Sequence, residues 1–153
     1  MTKEEGQETA PSISADKILL DADALNQLLS QLFPHGTAHR RGIVTEVVAG
    51  LVTMELEPNE KMLRPGGLVS GPTLMAFADV AAYALVLAHN GPQPMAVTTG
   101  LNYQFLRPCK PATLHAKAEL LRLGRKLAVM DIRIFSGDDP RPVGQAAVTY
   151  AMP

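Results

Sequence analysis

Residues Pro65 to Ala88 read PGGLVSGPTLMAFADVAAYALVLA, and across these twenty-four positions Asp79 is the only ionisable group apart from the Tyr83 phenol. Leu74, Phe77, Ala78, Ala81, Ala82 and Leu85 recur at helical spacing, so the segment reads as a helix largely buried in a core. Pro72 suits the first turn, where a missing N–H costs nothing, and Asn90-Gly91-Pro92 ends the helix. An unpaired carboxylate in such surroundings costs several kcal/mol unless it is hydrogen-bonded or held neutral. Packing alone gives no reason to keep it, which makes Asp79 a candidate functional group.

The flanking sequence supplies a partner for this helix. Upstream, Ala15 to Phe33 carries Ile18, Leu19, Ala22, Leu25, Leu28, Leu29 and Leu32 on one stripe and reads as an amphipathic helix ending before Pro34. Ile43–Val48 and Leu51–Glu57 read as a hairpin around Ala49-Gly50, and a Gly/Pro-rich loop follows from Pro58 to Gly71. Four strands then follow, at about 95–106, 113–123, 126–136 and 142–151, with Leu114, Ala116 and Ala118 alternating against His115, Lys117 and Glu119. An antiparallel sheet buries one face and needs something apolar to lie on it. The central helix alone is apolar enough. The expectation is an α+β hot-dog fold: an antiparallel sheet wrapped around a long central helix, with residues 15–153 as one domain behind a disordered lead at 1–14.

Composition removes several classes of function. A chain of 153 residues with 46% hydrophobic and 19% charged residues and formal net charge −1 is ordinary for a soluble globular protein. It carries no clustered basic surface for nucleic acid. The N-terminus has no apolar signal region, and Cys109, the single cysteine, cannot form an intramolecular disulfide. A cytoplasmic location follows as the expectation. The stretch from Leu68 to Ala88 is long enough to span a bilayer, but Ser70, Gly71, Pro72, Thr73 and the central Asp79 argue against a membrane. His35 and His39 stand four apart with no cysteine or carboxylate near, so no metal site is expected. His89 reads as a favourable charge at a helix C-terminus. Cys109 has no histidine signature beside it to make a nucleophile.

Gly71 and Asp79 are complementary parts. A glycine at a helix N-terminus offers a free N–H and the positive end of a dipole, which suit a developing oxyanion. A partly desolvated carboxylate serves as general base toward water, or as nucleophile. Eight residues of helix separate them by roughly 12 Å, too far for one chain to bring both to one carbonyl. They cooperate only if a two-fold-related helix runs antiparallel and sets its Gly71 beside the other chain's Asp79. The spacing predicts a dimer with shared sites, and edge pairing extends this to a dimer of dimers.

The segments GLVSGPTLMAFADVA (67–81), AVTTGLNYQFLRP (96–108) and LRLGRKLAVMDIRI (121–134) resemble the hot-dog thioesterases of the phenylacetate-pathway group and their 4-hydroxybenzoyl-CoA thioesterase relatives. The resemblance runs from about Ile43 to the C-terminus. It implies hydrolysis of an acyl-CoA, with the Gly71 amide polarising the thioester carbonyl and Asp79 activating water or attacking. It also implies that Thr98 holds the water, with Thr99 on the opposite face of the strand. No cofactor is implied, coenzyme A being part of the substrate. The family's His-Gly-Gly at the helix start is Ser70-Gly71-Pro72 here, and its preceding asparagine corresponds to Arg64. Arg107, Lys110, Arg122, Arg125 and Lys126 cluster at two turns, either as solvated strand ends or as partners for the nucleotide phosphates. Two other readings stand beside hydrolysis. One is a non-catalytic acyl-CoA binding domain; the other is a hot-dog hydratase or dehydratase, which needs a histidine paired with the acid for proton shuttling, and none is expected near the central helix in a place to do so.

Overall fold

The computed structural model describes residues 14–34 and 41–153. Residues 1–13 of the expected lead, together with His35 and His39, lie outside the described residues. The order is helix α1 (Ala22–Leu32), strands β1 (Ile43–Val48) and β2 (Leu51–Leu56), a 3-10 turn at Glu60–Met62, short strands β3 (Leu63–Arg64) and β4 (Leu68–Val69), helix α2 (Gly71–Asn90), then β5 (Val97–Phe105), β6 (Leu114–Leu123), β7 (Leu127–Ser136) and β8 (Gly144–Ala151). Six strands form one antiparallel sheet in the order β1-β2-β6-β7-β8-β5, and α2 lies on its inner face, in contact with β2, β5, β6, β7 and β8. This is the hot-dog arrangement.

Alternation builds the inner face. Val52, Met54 and Leu56 on β2, Leu114, Ala116 and Ala118 on β6, Ala128, Met130, Ile132 and Ile134 on β7, and Ala146, Val148 and Tyr150 on β8 are all buried. Opposite them α2 presents Ala78, Ala81, Ala82, Ala84 and Ala88 among its larger residues, so helix and sheet approach closely. Twelve of the 20 helix residues are buried against the sheet and the neighbouring elements.

Three sequence readings need correction. Helix α1 starts at Ala22, not Ala15, because the Asp21 carboxylate accepts from the Ala24 N–H at 2.9 Å as an N-cap. The residues before it do other work: Leu19 and Leu20 donate their N–H groups to the Ala88 carbonyl, at 2.7 and 3.2 Å, near the end of α2. Within the Gly/Pro-rich loop the chain forms the β3–β4 ladder, pairing Leu63 with Val69 and Arg64 with Leu68. His89, expected as a dipole partner at the helix C-terminus, is a buried clamp. Its Nε2 accepts from the Gly50 N–H at 2.9 Å, and its Nδ1 donates to the Leu85 carbonyl at 3.1 Å, which ties the β1–β2 turn to α2.

Candidate active site

The start of α2 is fixed by Ser70. Its hydroxyl accepts from the Thr73 N–H at 3.3 Å and pairs with the Thr73 hydroxyl at 2.8 Å, while its own N–H donates to the Met62 carbonyl at 2.8 Å. Gly71 is thereby held as the first helical residue, where an N–H has no partner inside the helix. Among the described residues this N–H donates to no other group of the chain. A Cβ built on Gly71 would sit 3.3 Å from the Phe105 ring, so the backbone lies close under that ring. Gly71 opens onto a recess of about 450 Å³ that also takes in Arg64, Arg107 and Cys109. Arg107 donates to the Pro142 carbonyl at 2.6 Å. Burial pushes the Cys109 thiol above its ordinary pKa, against a lowering contribution from Ser136.

Two turns further along the helix, Asp79 is half-buried. Its Oδ1 accepts from the Thr98 hydroxyl at 2.8 Å and from the Tyr150 hydroxyl, also at 2.8 Å. The Tyr150 hydroxyl lies 3.2 Å from the Asp79 main-chain carbonyl as well. Oδ2 accepts no hydrogen bond from the chain among the described residues. Sequence reasoning gave Thr98 the water and named no direct bond between it and Asp79; the structure joins the two directly and adds Tyr150, which sequence reasoning missed. Tyr150 is buried, and its phenol pKa is pushed above the ordinary value, first by burial and further by the Asp79 charge, against a lowering contribution from Thr98. It therefore remains a proton donor. Its ring stacks on Tyr83, with centroids 5.9 Å apart and planes 17° from parallel, and Phe33 meets Tyr83 edge-on at 6.1 Å. A recess of about 340 Å³ opens beside Thr98 and Tyr150, walled by Phe33, Tyr83, Pro94 and Val97.

The other candidates separate into groups. Thr99 sits at a β-bulge, and its hydroxyl donates to the Thr149 carbonyl at 3.3 Å, away from Asp79. Arg64 and Arg107 join Gly71 in the first recess. Arg125 and Lys126, with Arg122, line a separate recess of about 480 Å³ at the β6–β7 turn. Lys110 is exposed outside all three. Gly71 and Asp79 share a helix eight residues apart; Gly71 lines the first recess, whereas Asp79 lines none of the three and is bonded to Thr98 and Tyr150, which line the third.

The sequence profile of the thioesterase superfamily matches residues 66–143, which run from the loop before α2 to the start of β8. The chain belongs to the thioesterase superfamily. Within it, the fold is similar to that of a Silicibacter sp. TM1040 protein assigned as a thioesterase, at 40% identity over 92% of this chain and 96% of that one, with a TM-score of 0.83. It also resembles a phenylacetic acid degradation-related protein of Ralstonia eutropha JMP134, likewise assigned as a thioesterase, at 26% identity over 83% of this chain and all of that one, with a TM-score of 0.70. A Thermoplasma acidophilum protein assigned as an esterase is 23% identical over 95 residues, 62% of this chain and 71% of its own length.

Proposed function

We propose that this superfamily member hydrolyses an acyl-CoA thioester to the free acid and coenzyme A, at sites shared between two chains of a dimer. One observation carries the reading: the Asp79 carboxylate is held through Oδ1 by two hydroxyls while Oδ2 accepts no hydrogen bond among the described residues. The Thr98 hydroxyl has its proton committed to Asp79, so its lone pairs are free to accept from a water. A water donating one proton toward Thr98 and the other toward Oδ2 presents its own lone pair to a thioester carbon. In the base reading, Asp79 takes the proton as the C–O bond forms, and passes it to the departing sulfur as the C–S bond breaks, which releases the thiol and restores the carboxylate. In the nucleophile reading, Oδ2 attacks directly and the C–S bond breaks to expel the thiolate. Water then hydrolyses the resulting anhydride to free acid and Asp79, with one water proton going to the sulfur. The carbonyl oxygen needs a donor that the same chain's Gly71 cannot reach, so that N–H comes from the partner.

The dimer is supported by the surface left uncovered. Met75 on α2 is 39% exposed, and Phe105 on the edge strand β5 is 57% exposed. Pro72, Met75, Ala76 and Asp79 fall on one side of the helix at helical spacing, the side an antiparallel copy would cover. Pairing of two such dimers gives the tetramer. The nucleotide phosphates fall to Arg64, Arg107 and Lys110 or to Arg125 and Lys126. Amide, carboxylate and water suffice for the reaction, and coenzyme A enters only as part of the substrate. The test is a panel of short, medium, long and aryl acyl-CoAs, with release of free thiol as the signal. Turnover of one class supports the reading. Binding without turnover would leave an acyl-CoA binding domain, and hydration of an enoyl-CoA would make the protein a hydratase.

A further inference from the structure

We infer that Tyr150 is a positioning residue: with Thr98 it clamps Asp79 through Oδ1 and thereby assigns the chemistry to Oδ2. The inference rests on the hydrolytic reading of Asp79 given above. Thr98 and Tyr150 are directly opposed partners in the β5–β8 ladder, and opposed residues of an antiparallel pair point to the same face. The two hydroxyls therefore reach the helix together. Just beyond Thr98 the register shifts through a bulge before Gly100, a device that re-aims side chains beside functional sites. The bulge carries Thr99 off to the Thr149 carbonyl and leaves Thr98 alone on the carboxylate.

Packing does not explain the Tyr150 hydroxyl. The ring is already held by its stack on Tyr83, and phenylalanine would keep that stack without burying a polar group. Elsewhere in the same sheet the Tyr103 hydroxyl is buried with no hydrogen-bond partner among the described residues, its ring lying over Gly144. Burial of a phenol is thus not enough to bring it to an acid. At Tyr150 the O–H meets the one carboxylate on α2, on the same oxygen that Thr98 already holds. Two donors on one oxygen fix the rotation of the carboxylate and draw its charge toward Oδ1. The oxygen left for a water proton or for a carbonyl carbon is then always Oδ2, in one orientation. A single donor would leave the carboxylate free to turn about its Cβ–Cγ bond.

The experiment is a double-mutant cycle in the full-length protein, read as kcat and KM on the best substrate of the panel. Tyr150→Phe should lower kcat about ten- to a hundred-fold, the range set by one hydrogen bond to a charged group, with KM within about two-fold. In the Asp79→Asn background the same change should cost nothing further, because the clamped group is gone. Wild-type kcat in Tyr150→Phe overturns the proposal. So does a rise in KM at unchanged kcat, which would make Tyr150 a pocket wall, and so does an equal loss in both backgrounds. Near-full activity of Asp79→Asn itself would instead defeat the hydrolytic reading, and the two failures are distinct. Should Tyr150→Phe not accumulate folded, Thr98→Val removes the other donor and leaves the ring stack intact. It must then lower kcat by a similar factor at constant KM, and an unchanged kcat refutes the clamp.

Discussion

Replacing Gly71 by proline deletes one functional group from the site, the backbone N–H, while keeping a backbone that the position accepts. Gly71 is the first residue of α2, where proline is favoured, and Ser70 before it sits at φ −70°, ψ 151°, the extended geometry that a residue preceding proline requires. Gly71 already precedes Pro72, so that restriction is not new. Loss of one preorganised donor to an oxyanion typically costs about 10²–10³ in kcat, or roughly 2.7–4 kcal/mol. The companion variant Gly71→Ala keeps the N–H and adds only a methyl, 3.3 Å from the Cε1 and Cζ atoms of Phe105. That ring is 57% exposed and can yield, so alanine should stay within about ten-fold of wild type. Both variants would be assayed by thiol release, with the melting temperature and the oligomeric state measured on the same samples. A folded Gly71→Pro dimer with kcat close to that of Gly71→Ala would refute the oxyanion role.

Other expectations concern the frame around the site. His89→Leu fills the same space but strands the Gly50 N–H, and should cost about 1–3 kcal/mol, or roughly 3 °C in melting temperature for each kcal/mol; an unchanged melting temperature would show that the clamp is dispensable. Burial holds the Tyr150, Tyr103 and Tyr83 phenols above their ordinary pKa of 10.0. A group whose folded pKa is raised contributes stability that is complete below its unfolded pKa and lost above it. Denaturant midpoints should therefore hold up to about pH 10 and fall beyond it, and Tyr150→Phe should flatten part of that fall; identical alkaline profiles would contradict this.

Much of this was legible in the sequence where one element declares itself. The run from Leu74 to Leu85 can be nothing but a buried helix, and the alternation in β6 and β7 fixes which face meets it. Pro72 and Gly91 marked the ends of α2 in the sequence, whereas the apolar stripe before Asp21 hid a cap that cuts α1 short. Contacts between distant residues were not readable. His89 meets Gly50 across 39 positions and Tyr150 meets Asp79 across 71, and nothing local in either segment announces the partner. Tyr150 left one trace, its inward register behind Ala146 and Val148 at the end of β8. Only the pairing with Thr98 turns that trace into a site residue.

The most direct test of a site built from two chains is complementation between two inactive proteins. Asp79→Asn lacks the acting carboxylate and Gly71→Pro lacks the donor, so neither homodimer holds an intact site. Equal mixing with free subunit exchange gives heterodimers in half the population, each with one intact site out of two. The account predicts recovery of about a quarter of wild-type specific activity, appearing at the rate of exchange. Exchange demonstrated by native mass measurement, with activity remaining at the level of the separate variants, would contradict it.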